Sequence, residues 1–206
     1  MTDDPAAALT AARAQTLAAL APLSQAQLDF SPAARRWSIG EVADHLRLAE
    51  GLYRDEIGRL IALARAGERP YLKRSFADIN VSPFYLPTPV LSMLEVPFGF
   101  MSRVIPDQVR SFVTEFPLLP TRNPGLATPR PGRPAAALRA DLARSIADTR
   151  ALVAESSDLD LTTMISEHPL TGASNVPAIL RFLSEHERRH QGQMEKVRSD
   201  SGFPRA

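Results

Sequence analysis

The sequence predicts an all-α fold: a four-helix bundle broken by one long excursion between its second and third helices. Three observations carry this expectation. Apolar residues recur every three or four positions in four stretches, capping or breaking residues punctuate the ends of those stretches, and 12 of the 18 prolines crowd into residues 67–135. At 206 residues the chain suits one domain, expected to cover residues 1–206.

The first helix is expected over about residues 6–21, with Leu9, Ala12, Thr16 or Leu17 and Leu20 on one stripe and Pro22 as its stop. The second opens at Trp37-Ser38-Ile39-Gly40-Glu41, where Ser38 and Glu41 have the spacing of a capping box. Val42, Leu46, Ala49, Leu52 or Tyr53, Ile57 and Leu60 continue its apolar stripe to a C-terminal stop at Gly67. The third covers about 134–155, opened by Pro134 and carrying Leu138, Leu142, Ile146 and Leu152. The fourth starts near Asn175 with Pro177 in its first turn, and runs through Ile179, Leu183, His186, His190, Gln193 and Val197. The excursion, 67–135, excludes long helices by its prolines, yet Phe76, Phe84, Tyr85, Phe98, Phe100, Phe112 and Phe116 make it too apolar to stay solvated. It is expected to pack on the bundle.

Composition narrows the function. A formal charge of +1 argues against nucleic acid or an anionic membrane surface as partner, since phosphate neutralisation needs clustered cationic excess. No apolar run is long enough to span a bilayer, and the start Met1-Thr2-Asp3-Asp4-Pro5 is acidic where a signal peptide is basic, so a cytoplasmic location is expected. Cysteine is absent, which removes disulfides, thiolate ligands and a cysteine nucleophile together. Any metal is held by His, Asp or Glu, and any thiol chemistry uses a thiol brought in from outside.

The chain has four histidines. His186 and His190 stand at i and i+4, on one face of the fourth helix and on its apolar stripe. His45 falls on the apolar stripe of the second helix, between Val42 and Ala49. Three imidazoles turned into one core are difficult to satisfy as neutral donors and acceptors, and a shared divalent metal resolves this by taking one nitrogen from each. Gln193, three residues beyond His190, is placed to orient a ligand or substrate. His168, in Ser166-Glu167-His168-Pro169, reads as a loop residue supporting the site rather than a fourth ligand.

Trp37-Ser38-Ile39-Gly40-Glu41-Val42-Ala43-Asp44-His45-Leu46, with His186-Glu187-Arg188-Arg189-His190-Gln191-Gly192-Gln193 much later, resembles the DinB/YfiT-like metalloenzyme family. The segment Leu23–Phe30 and the turn His168-Pro169-Leu170-Thr171-Gly172 resemble family features as well. The resemblance covers the first, second and fourth helices well, the third by pattern, and the excursion poorly. It implies an up-down-down-up bundle, a metal held by His45, His186 and His190 with Zn²⁺ or Ni²⁺ as the ion, often a homodimer, and Trp37 beside the site. It also implies thiol-dependent transfer or isomerisation of a small-molecule substrate with bacillithiol, mycothiol or a related low-molecular-weight thiol. Three imidazoles leave open positions on the ion, as catalytic sites do.

Two rival readings stand beside this one. The first is a bundle that binds metal or a small ligand without catalysis. The second is a zinc hydrolase, because His186-Glu187-x-x-His190 matches H-E-x-x-H with Glu187 as general base. Against the hydrolase, no third histidine follows His190, Gly192 is one residue early for the extended motif, and only Glu195 lies within a turn downstream. Glu187 is then expected on a solvated face.

Overall fold

The computed structural model describes residues 5–34, 36–74, 127–168 and 172–205. Among them five α-helices dominate: α1 (Pro5–Leu20), α2 (Gln25–Asp29), α3 (Ile39–Arg65), α4 (Ala135–Ala154) and α5 (Val176–Arg198). A small sheet is formed by β1 (Tyr71–Lys73), β2 (Ile165–His168) and β3 (Gly172–Asn175), preceded by a 3₁₀ turn at Leu161–Thr163. No described helix is long and apolar enough to cross a membrane. Most of the excursion lies outside the described residues, and its packing with it.

Two compact units divide the chain. The first comprises residues 1–55, 129–158 and 177–206, and the second residues 56–128 and 159–176. In the first, Leu20, Leu23, Leu28, Ile39, Val42, Ala43, Leu46, Leu138, Leu142, Met194 and Val197 form one buried cluster, to which all five helices contribute. The expected stripes are the buried ones: Leu9, Ala12, Thr16 and Leu20 on α1, Leu138, Leu142 and Ile146 on α4, Ile179, Leu183 and Val197 on α5. Cap chemistry sets the helix starts. Ser38 Oγ accepts from the Glu41 N–H at 3.2 Å while Glu41 Oε2 accepts from the Ser38 N–H at 2.9 Å, closing the expected capping box of α3. Gly40 is required next to it, because a Cβ there would stand 3.0 Å from the Leu28 carbonyl oxygen of α2. Helix α2 repeats the device with Ser24 and Gln27, whose side chains reciprocate the same two bonds.

The fold is mostly helical as expected, and the second unit adds a small sheet to it. β1 pairs parallel with β2, and β2 pairs antiparallel with β3 in the register Ser166↔Ser174 and His168↔Gly172. Strands of three and four residues are too short to show alternation, and β1 lies far from its partner in sequence. His168 is therefore the last residue of a strand, not part of a loop. Gly67 takes the left-handed conformation expected of a helix stop, φ +73°.

Candidate metal centre

The three histidines singled out by spacing lie together in the first unit. His45 is buried on the second turn of α3, where the Ser38 cap fixes its phase; His190 is buried and His186 half-buried on α5. His186 Nε2 stands 3.3 Å from His45 Nε2 and 3.2 Å from His190 Nε2, and candidate ligand atoms of all three lie within 4.8 Å of one another. Gln193 Oε1 sits 2.8 Å from His190 Nδ1. With the amide so oriented Nδ1 carries the proton, and a neutral His190 then presents a bare lone pair at Nε2.

His186 Nε2 faces two nitrogens and has one site, either a hydrogen or a lone pair. A hydrogen there serves both neighbours only as a three-centre bond shared between His190 and His45. A cation bound by all three lone pairs engages each nitrogen directly. Metal–nitrogen bonds of about 2.0–2.1 Å in tetrahedral geometry put ligand nitrogens roughly 3.3–3.4 Å apart, close to the two separations found here. The donor set fits a divalent ion.

The protonation states suit the same role. Burial, reinforced by the neighbouring His45, pushes His190 down to about 4 despite the opposing bond from Gln193. Burial, then His190 and His45, holds His186 well below the ordinary imidazole range. Both rings are neutral at physiological pH, the form a metal ligand needs. Aromatic rings flank them: Trp37 lies 5.0 Å from the His45 ring, and Phe182 stacks at 5.7 Å on His186 with Tyr53 behind it. Trp37 and Gln193 thus contact the centre. His168 belongs to the other unit, where burial and the charge of Arg74 hold it down to about 4.

Periodicity passed over two charged networks in the first unit. Asp44, next to His45, is fully buried and accepts from the Arg130 N–H at 3.0 Å, Arg47 Nε at 3.0 Å and Arg133 Nη1 at 2.6 Å. Burial alone would raise its pKa; the Arg130 N–H and the two guanidinium groups outweigh that and hold it below the ordinary carboxylate range. The second network corrects the expectation for Glu187, which is 1% exposed and not solvated. Arg13 Nε and Nη2 donate to its two oxygens at 2.8 and 2.9 Å, so both are committed and Glu187 is not placed as a general base. The sequence did hold a signal: Arg13, Glu50 and Glu187 each follow an apolar stripe residue (Leu9, Leu46, Leu183) by four positions, charges of both signs on three inward faces.

Neither a curated protein nor a solved structure matches the chain. The profile of the DinB superfamily matches residues 8–194, which include Trp37, His45, His186, His190 and Gln193. With a match over nearly the whole chain, and with the paired motifs meeting in one buried histidine cluster, the chain belongs to the DinB superfamily.

Proposed function

We propose that this DinB-superfamily protein is a metal-dependent enzyme, a single domain of up-down-down-up helices that holds Zn²⁺ or Ni²⁺ between His45, His186 and His190. Its reaction is transfer or isomerisation of a small electrophile with a low-molecular-weight thiol as cosubstrate. The observation that carries the reading is the convergence of three imidazoles, with His186 Nε2 standing 3.3 and 3.2 Å from the Nε2 atoms of His45 and His190, the spacing of ligands on one tetrahedral ion. An ion in that position supplies a Lewis acid able to stabilise a thiolate or hydroxide near neutral pH. The chain's own part is to keep His190 in the Nδ1–H form through Gln193, and to pack Trp37 and Phe182 against the ligand rings so that they keep their orientation. Because the chain contains no cysteine, the thiol comes from solution.

Cobalt substitution tests both halves. The purified protein is expected to take up one equivalent of Co²⁺, and millimolar bacillithiol, mycothiol or glutathione to add a thiolate charge-transfer band. Uptake of cobalt with a spectrum unmoved by all three thiols, and no turnover of a broad electrophile panel, turns the reading to a metal-binding bundle without catalysis. No uptake at all removes the metal.

A further inference from the structure

A second buried cluster uses the same two helices as the histidines. Arg13 of α1 donates through Nε and Nη2 to Glu187 of α5, and through Nη1 to the Leu142 carbonyl of α4 at 3.0 Å. Its Nη1 also lies 2.9 Å from Glu50 Oε2 of α3, an ion-pair contact without hydrogen-bond alignment, so Oε2 has no hydrogen-bond donor. Glu50 Oε1 accepts from Thr149 Oγ1 at 2.8 Å. Side chains of Arg13, Glu50 and Glu187 are 1–2% exposed. Arg54 of α3 joins the cluster through the Ser145 carbonyl oxygen, which accepts from Arg54 Nη1 at 3.0 Å and from Thr149 Oγ1 at 3.1 Å, so two cations stand with two carboxylates.

Such a cluster is a poor device for stability alone, since apolar residues of similar volume often hold helices together as well or better. Its placement gives it another use. Glu187 directly follows His186, and Glu50 lies five residues, about 7.5 Å of helix rise, beyond His45. The Arg13 guanidinium thus ties Glu187 of α5, next to His186, to Glu50 on the helix of His45. We infer that Arg13, Glu50 and Glu187 are positioning residues of the histidine centre: they fix the register of α5 on α3 and so hold His45 against His186 and His190 at the separations a divalent cation takes. The inference rests on the metal reading and adds to it the residues that tune the site.

The test compares Zn²⁺ affinity with the stability of the metal-free protein. Glu187→Gln and Glu50→Gln each weaken the tie between α5 and α3 and keep the side-chain volume, and Glu50 is not a neighbour in sequence of any histidine ligand. Each is expected to weaken zinc binding by about 10-fold, within the range of outer partners of metal ligands, in a metal-free protein that is less stable but folded. Zinc affinities within twofold of wild type in both variants overturn the proposal. If neither folds, the apolar triple variant Arg13→Met, Glu50→Leu, Glu187→Leu decides: folded with wild-type affinity overturns it, folded with affinity down 10-fold or more supports it. A set in which no variant folds marks a folding element only, which also overturns it. Wild-type protein that binds no zinc fails the metal reading itself, a result distinct from variants that bind as wild type does.

Discussion

The Arg13 cluster and the histidine centre occupy the same buried interior and draw on the same pair of helices, α3 and α5, but they are built on opposite terms. Around Arg13 the guanidinium donates to Glu187 and Leu142 and touches Glu50, and Thr149 donates to Glu50 Oε1 from α4. Among the histidines three neutral rings converge, and one hydrogen at His186 Nε2 must be shared between two neighbours. In the first arrangement opposite charges meet within the chain, and in the second like donor atoms meet. Converging neutral donors mark where a cation belongs, whereas a network of opposite charges marks what holds that place in shape.

The comparison breaks most visibly if the matched cluster is not needed for folding. Arg13→Ala leaves Glu50 and Glu187 buried without their cation, and is expected to cost about 3–5 kcal/mol of stability in chemical denaturation of the metal-free protein. A loss below about 1 kcal/mol would show that the cluster relaxes into water. Next in size is acid destabilisation at the histidines. Between the ordinary imidazole pKa of about 6.5 and the folded value of about 4 for His190, the unfolded chain holds a proton that the folded chain does not. Stability of the metal-free protein is therefore complete above about pH 6.5 and falls through that window, by on the order of 3 kcal/mol. Saturating zinc should flatten the upper part of the curve, and a curve indifferent to zinc would separate the acid effect from the centre.

Asp44→Asn sharpens the comparison from the matched side. It removes a buried charge that meets Arg130, Arg47 and Arg133, and about 1–3 kcal/mol should be lost at neutral pH. Because the Asp44 carboxyl is held below its ordinary range, the wild-type contribution is present above about pH 4 and disappears only as pH falls through the folded value. The smallest expected change is Gln193→Ala, which frees the His190 tautomer and should weaken zinc binding by about 10-fold, with the metal-free melting temperature unmoved.

How much of this was legible beforehand follows the range of each physical signal. Helix spans read correctly to within a residue or two, because the stripe through Val42, Leu46 and Ala49 and the Ser38–Glu41 cap act over one or two turns. The convergence of His45 with His186 and His190 was legible for the same reason: each ring falls on an inward face. Helix α2 escaped although its Ser24–Gln27 cap is local, because five residues are too few to show a period; the other misses depended on partners remote in sequence. β1 pairs with a strand some 90 residues away, and neither segment is long enough to show its period. For Glu187 charge alone suggests water; its partner Arg13 lies 174 residues distant, and only the coincidence of opposite charges on inward faces links them in the sequence.

The most direct test of the central claim is a calorimetric titration of Zn²⁺ into metal-free wild-type protein and into His186→Ala, the variant that removes the ring in contact with both others. One equivalent should bind tightly to wild type. In the variant, affinity should fall beyond the about 10–100-fold expected of an outer partner, with metal-free stability kept. Stoichiometric zinc retained by His186→Ala at unchanged affinity would contradict the account.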